Sequence, residues 1–194
     1  MDFNDQICPW AAQDKLYRDY HDTEWGLPLH DDQKLFELLV LEGMQAGLSW
    51  LTILRKRENF RRSFDEFDPR IVSGYGDDKI SALMQDPGIV RNRLKIRAAI
   101  SNARAFLEVC QEFGSFDRYL WSWVGGRPII NQFQSITDIP ASTGLSDRIS
   151  HDLVRRGFKF AGTTICYALM QSAGLVWDHL ASCHCRPPAD TEAQ

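Results

Sequence analysis

The chain has 194 residues, of which 44% are hydrophobic, 25% charged and 11% aromatic. That composition excludes a disordered chain, no apolar run approaches the roughly 18–20 residues of a membrane span, and the length suits one domain or two lobes around a shared core. Net charge is −4, from 22 basic and 26 acidic side chains, which gives no overall attraction to a polyanion.

In chain order, the segment from Met1 to Pro9 carries acids and no apolar stretch. It does not read as a signal peptide, so a cytoplasmic protein with no membrane partner is expected. From Trp10 to Trp25 four rings, Trp10, Tyr17, Tyr20 and Trp25, alternate with Asp14, Lys15, Arg18, Asp19, Asp22 and Glu24, which reads as a polar, irregular loop. Asp31 and Asp32 suit a helix start. Leu35, Leu38, Leu39 and Glu42 follow at i, i+3, i+4 and i+7, one face of an α-helix, before a break at Gly43 and Gly47. Ser49 precedes a second helix anchored by Trp50, Ile53, Leu54 and Phe64. A third runs from Asp77 to Gln85. Asp86-Pro87-Gly88 ends it, since Pro cannot continue a helix and Gly tolerates a left-handed φ.

A fourth helix carries Ile96, Ala99, Ile100, Ala103, Leu107 and Cys110 and ends at Gly114. Phe116 to Val124 suits a short helix, and Gly125 to Pro140 reads as a loop. Ser146 is the expected N-cap of a helix through Arg156, and Gly162 to Ala173 a last apolar helix ended by Gly174. No segment alternates as a strand, so the class is all-α. Residues 1–188 are expected to form one compact unit. Its lobes would be about 1–70 with 145–188 and about 71–144, followed by a frayed tail at 189–194.

Two basic stretches stand out. Arg55, Lys56, Arg57, Arg61 and Arg62 face one acid, Glu58; Arg91, Arg93, Lys95, Arg97 and Arg104 face none. Each is either a solvated helix face or a local grip on a polyanion. The second follows a helix, a Pro-Gly turn and a helix start, the shape of a helix-hairpin-helix element. In such an element a tight turn at Gly88 offers backbone N–H groups to a phosphate at a helix N-terminus, and Arg91, Arg93 and Lys95 add contacts that read no sequence. An ordinary helical hairpin carrying surface charge has the same pattern.

Five cysteines are too few for a disulfide scaffold. Cys110 and Cys166 sit in apolar helical patterns as small core residues. Cys8 and His21 lie near one end of the chain, and His179 and Cys183 form an i, i+4 pair near the other. Two thiolates and two imidazoles make a closed tetrahedral set for one structural Zn²⁺ that would join the N- and C-terminal segments. His184 and Cys185 stand close enough in sequence to replace a ligand, and free cysteines with surface histidines are the alternative.

Rings on a polar segment suit stacking on a flat, cationic ligand, although aromatic residues more commonly pack a core. Glu42 is the sharpest single residue. On an apolar face its carboxylate must be desolvated unless it turns out to solvent at the helix end, and burial requires a donor or a positive charge.

The segments YHDTEWG (Tyr20 to Gly26), LEGMQAGLSW (Leu41 to Trp50), KRENFR (Lys56 to Arg61), FDP (Phe67 to Pro69) and RGFKFAGTTICYALMQSAGL (Arg156 to Leu175) resemble the bacterial 3-methyladenine DNA glycosylase I family, in colinear order from about Cys8 to Cys185. The resemblance implies a helix-hairpin-helix glycosylase fold. It places the zinc ligands on Cys8, His21, His179 and Cys183 and the base-pocket carboxylate on Glu42. Pocket rings fall on Trp10, Tyr17, Tyr20, Trp25 and Trp50, with Tyr20 and Trp50 as stacking partners. Gly47 and Leu48 would face the gap left in DNA. Met44 stands where the family pattern has Gln, and Trp177 where it has Asn; Pro9 is a smaller departure. Met44 is expected to bear on the pocket or the DNA wedge, Trp177 on packing alone.

The implied activity is release of N3-methyladenine from alkylated double-stranded DNA by a monomeric base-flipping enzyme. No lysine is evidently placed for a Schiff base, so no strand cleavage is expected. No aspartate after the hairpin matches the catalytic one of many helix-hairpin-helix glycosylases. A non-catalytic DNA-binding module and a zinc hydrolase are the competing classes; retention of Glu42 with the rings opposes the first, and four protein ligands oppose the second.

Overall fold

The computed structural model describes residues 6–185 and 187, so the tail expected at 189–194 lies outside the described residues. The architecture is helical: α1 (Lys15–Thr23), α2 (Asp32–Gln45), α3 (Trp50–Ser63), α4 (Pro69–Val72), α5 (Asp77–Gln85), α6 (Arg93–Phe113), α7 (Phe116–Ser122), α8 (Gly144–Arg155) and α9 (Thr163–Ser172). None of these helices is long and apolar enough to cross a membrane.

Helix starts follow their capping chemistry. Asp14, Asp31, Ser49, Asn92 and Ser115 each accept a backbone N–H from the first turn of α1, α2, α3, α6 and α7 respectively. The cap of α8 is Thr143 rather than Ser146. Ser146 is the third helical residue, and its hydroxyl accepts from the Thr143 N–H in a reciprocal box. Gly114 closes α6 in the left-handed region with φ 88°.

Helix α2 is the centre of the molecule. It packs against α3, α6, α7 and α9, and every residue from Leu35 to Met44 is buried. A helix apolar on all sides belongs inside a core, and LFELLVLEGM is apolar on every side except at two glutamates and a glycine. The main core continues through Phe60, Phe64, Phe67, Phe106, Phe116 and Phe158.

Two sequence expectations are corrected. The stretch from Trp10 to Trp25 is a 3-10 turn, Ala11–Gln13, followed by α1, and not an irregular loop. Its charged residues occupy the outer face while Tyr20 and His21 turn inward. Within Gly125 to Pro140 lies a short strand, β1 (Ile129–Ile130), which pairs in parallel with β2 (Val176–Trp177) in the register Ile129 to Val176 and Ile130 to Trp177. Two residues per strand are too few for alternation to be visible in sequence. The ladder has a positional consequence. It brings Asn131 to Asp178, whose fully buried carboxylate accepts from Asn131 Nδ2 at 2.7 Å, Tyr167 Oη at 2.6 Å and Gln171 Nε2 at 2.8 Å. Asp178 directly precedes His179, so this network fixes where the C-terminal segment meets α9. Gly174, at φ +74°, is the other pinning point, because a Cβ there would lie 2.4 Å from the Leu27 carbonyl.

Candidate functional site

A cavity of about 330 Å³ opens between α1, α2, α3 and α9. Trp10, Tyr17, Tyr20, Trp25 and Trp50 line it together with Glu42, Gln45, Gln171 and Ser172, and Ile136 and Ile139 form its far wall. All six pocket residues expected from sequence are therefore brought together. Tyr17 and Tyr20 project from α1 three residues apart. Trp50 opens α3, and the Tyr17 hydroxyl accepts the Leu51 N–H at 2.9 Å, holding the two helices at a fixed spacing. Trp10 meets Tyr17 edge-on at 5.4 Å and Trp25 at 5.1 Å. Tyr20 and Trp50 lie 5.7 Å apart with an interplanar angle of 54°, so they are adjoining walls and not two parallel plates. A planar ligand stacks on one and meets the edge of the other.

Glu42, in the last turn of α2, is 2% exposed. Among the described residues its one donor is Ser172 at the end of α9, whose hydroxyl donates to Oε1 at 2.7 Å. Burial pushes the Glu42 carboxyl up to about 7, and the Ser172 hydrogen bond only partly opposes this. Burial, with the Glu42 charge adding to it, also raises the Tyr20 phenol. Ser172 faces the Tyr20 hydroxyl without closing a hydrogen bond, and the Tyr20 hydroxyl and the Trp50 indole N–H are buried with no partner among the described residues. Buried polar atoms are seldom left unpaired. A site holding one lone carboxylate and two unmatched polar atoms between rings is built for a flat polar ligand that brings its own partners. Sequence reasoning missed Ser172, Gln171 and Gln45. The adjacent polar pair Gln171-Ser172 inside the apolar run of α9 was the available signal. Ile136 and Ile139 gave none.

Cys8, His21, His179 and Cys183 converge beneath the ring cluster, all buried, with their ligand atoms within 4.8 Å of one another. Around tetrahedral zinc, bonds of about 2.0–2.1 Å to nitrogen and about 2.3 Å to sulfur put neighbouring ligand atoms roughly 3.3–3.8 Å apart. The observed separations are 3.0 Å for His179 Nδ1 to His21 Nε2, 3.5 Å for Cys183 Sγ to His21 Nε2, 3.6 Å for Cys183 Sγ to His179 Nδ1 and 4.0 Å for Cys8 Sγ to His179 Nδ1. The outer nitrogens fit as well. His179 Nε2 donates to the Trp25 carbonyl at 3.0 Å and His21 Nδ1 to the Asp22 carboxylate at 2.7 Å. Each ring therefore presents a bare nitrogen inward, as a metal ligand must. The Cys8 thiol and both imidazoles hold Cys183 toward thiolate. These residues can hold a tetrahedral, zinc-class ion.

The remaining expected residues divide. Gly47 and Leu48 form an exposed turn next to the cavity, with Gly47 at φ +80° and Leu48 43% exposed. Arg91 and Arg93 are exposed at the start of α6. Lys95 is a correction. It is 8% exposed, and Nζ donates to the Met44 carbonyl at 2.9 Å and the Ala46 carbonyl at 2.6 Å. It satisfies the C-terminal carbonyls of α2 and cannot reach a phosphate from there. Gly88 is a second correction. Its φ is not positive, and its N–H is donated to Asp86 Oδ1 at 2.7 Å, so it does not offer that N–H to a phosphate. A Cβ there would lie 2.9 Å from both Asn59 Cγ and Asp86 Oδ1, so a larger residue would displace those side chains. The first basic stretch is largely committed internally. Arg57 makes a two-bond fork to Glu24, Arg55 pairs with Asp14, and Arg61 with Glu37 and Glu58.

A sequence profile described as methyladenine glycosylase matches residues 10–186. The chain belongs to the methyladenine glycosylase family. It is 51% identical to DNA-3-methyladenine glycosylase 1 of Escherichia coli (strain K12) over 180 residues, 93% of this chain and 96% of that protein. A crystal structure of 3-methyladenine DNA glycosylase I superposes with a TM-score of 0.91 at 52% identity, covering 94% of this chain and 100% of the other. A variant of 3-methyladenine DNA glycosylase I solved in complex with 3-methyladenine does so with a TM-score of 0.91 at 38% identity, covering 94% and 98%. Against the family pattern, the Met44 side chain is buried in the main core and does not line the cavity, which removes the pocket from the two alternatives expected for it and leaves the DNA wedge. Trp177 packs on the His179 ring at 4.3 Å, a packing role beside the Cys/His cluster of this glycosylase family member.

Proposed function

We infer that this glycosylase hydrolyses the N-glycosidic bond of N3-methyladenine in alkylated double-stranded DNA and leaves the strand uncut. The single observation that carries the reading is the desolvated Glu42 carboxylate, with one donor, at the end of a ring-lined cavity. Such a carboxylate gains most from a ligand that is cationic and donates hydrogen bonds. N3-Methylation makes the purine of the nucleoside cationic, and its amino group donates. Unmodified adenine brings no charge to offset the burial of Glu42.

The steps follow from that match. The target leaves the stack at a cost of about a few kcal/mol, least for a damaged base. Tyr20 and Trp50 hold the flipped ring by aromatic contact, to which cation–π attraction adds roughly 0.5–2 kcal/mol. As C1′–N9 breaks, the bonding electrons neutralise the purine and positive charge develops on the sugar. Because the base is cationic before the bond breaks and leaves neutral, the enzyme need not donate a strong acid's proton. Water then adds at C1′ and loses a proton. Among the described residues no lysine lines the cavity, which supports a monofunctional enzyme.

The DNA grip is read as a helix-hairpin-helix element from α5 and α6, with Arg91 and Arg93 on phosphates near the Gly88 turn and without Lys95. Gly47 and Leu48 enter the gap left by the flipped nucleotide. Zn²⁺ is the ion assigned to Cys8, His21, His179 and Cys183; four protein ligands close the site, so its chemistry is structural. The chain acts as a monomer on genomic DNA in the cytoplasm. We read the chain as two lobes, about 1–70 with 145–188 and about 71–144, around one shared core. Incubation with methylated DNA followed by chromatography of released bases tests this reading. A peak of free 3-methyladenine with an intact sugar–phosphate strand is expected. Binding without release of any base refutes it.

A further inference from the structure

A second group of ligand atoms lies on the outer side of His21. Asp22, His184 and Cys185 converge there with the His21 ring, their ligand atoms within 4.8 Å of one another. Asp22 Oδ1 is 2.7 Å from His21 Nδ1 and 3.1 Å from His184 Nε2, and Cys185 Sγ is 3.8 Å from His21 Nδ1. A cavity of about 230 Å³ adjoins them, lined also by Leu27 and Trp177. Unlike the inner cluster this one is open to solvent: the side chain of Asp22 is 30% exposed and that of His184 37%.

The donor geometry makes the cluster informative. His184 Nδ1 lies 3.3 Å from the Gln6 carbonyl, and its Nε2 faces Asp22 Oδ1 at 3.1 Å, so one ring nitrogen is held beside the carboxylate. A thiol stands beside this pair, and thiolate, imidazole and carboxylate together form a borderline-soft donor set that magnesium and calcium do not favour.

We propose that Asp22, His184 and Cys185 form a second, solvent-open site for a divalent ion of the zinc class, seated against the outer nitrogen of His21. Three protein ligands leave one position for water or for an exogenous ligand. Binding releases the Cys185 thiol proton to solvent and leaves His21 Nε2 to the inner cluster. The second ion is held more weakly, because its ligands are exposed and one of them, Asp22, already serves the His21 ring. The proposal rests on the inner-site reading only in taking His21 Nε2 as engaged.

The test is equilibrium dialysis of the reduced full-length protein against Zn²⁺, with bound metal counted per chain, for the wild type and the H184A/C185S double variant. Two equivalents falling to one, the lost equivalent being at least tenfold the weaker, is the expected result. One equivalent in both proteins, or two in both, overturns the second site. One equivalent falling to none supports the outer site and refutes the inner one, so the two readings fail separately. Titration of the zinc-loaded protein with Co²⁺ gives an independent signature: a thiolate-to-cobalt absorption band that C185S abolishes and that stays absent in the wild type if the proposal is wrong.

Discussion

Replacing Glu42 by Gln isolates a charge from a shape. The carboxamide keeps the volume and keeps an oxygen for the Ser172 hydroxyl, which now donates to Glu42 at 2.7 Å. What it loses is the option of a negative charge. In the empty pocket that charge is unfavourable: burial raises the carboxyl from its ordinary 4.5 to about 7. A tenfold change in ionisation constant is worth about 1.4 kcal/mol, so the buried anion lies about 3 kcal/mol above its exposed counterpart. A cationic base can return energy of that order when it docks, which sets the effect of E42Q at about 10²-fold in kcat/KM. The pH dependence has a definite sign. The charged form dominates above about 7, so wild-type kcat/KM rises with pH through the acid limb and levels above about 7, whereas E42Q is low and flat. Stability runs the other way. The folded state holds a proton that the unfolded chain releases between 4.5 and about 7, so this group's contribution is fully present below 4.5 and is lost as pH rises through about 7. E42Q removes that loss. Single-turnover release of 3-methyladenine from an alkylated duplex between pH 5.5 and 8.5, with urea melts alongside, reads both effects. Wild-type release rates in E42Q, or a wild-type profile flat across pH 7, refute the reasoning.

W50A is expected to lower base release by about 10–100-fold, from the roughly 1–3 kcal/mol that base–aromatic stacking supplies; far-ultraviolet circular dichroism should stay unchanged, and release within twofold of wild type would remove Trp50 from the base-holding wall. Y20F deletes a hydroxyl with no protein partner, so its melting temperature should equal or exceed that of the wild type while KM for alkylated DNA rises; a fall in melting temperature would mean that the hydroxyl is paired in the unliganded protein. C183S should lower the melting temperature and the zinc content together before it lowers base release per folded molecule, and a folded, metal-free, inactive variant would contradict a structural ion. K95M should cost about 1–3 kcal/mol in urea melts, by stranding the Met44 and Ala46 carbonyls, and leave the salt dependence of DNA binding unchanged. R93A should do the reverse and reduce the slope of log K against log salt by about 1.

Local signals in the chain carry much of this molecule. Periodicity and capping residues locate α2, α3, α5 and α6, because a helix start is decided within four residues by groups such as Asp31, Ser49 and Asn92. Cys8, His21, His179 and Cys183 are legible as two ligand pairs, since metal chemistry allows few residue types. Glu42 is legible because a carboxylate on an apolar face has few places to go.

Tertiary structure alone decided the rest. Lys95 and Arg93 read alike as basic residues at the start of α6, yet one side chain ends on the carbonyls of α2 and the other in solvent, and charge pattern alone does not distinguish them. Ser172 acquires its role only because α9 ends against α2, 130 positions away in the chain. The wall made by Ile136 and Ile139, and the approach of His184 to Asp22, likewise depend on how distant segments dock. Hydrophobic pattern and capping act over a few residues and fix what each segment becomes. Burial, hydrogen-bond partners and the state of a carboxylate depend on what another segment brings, and only the packed chain sets them.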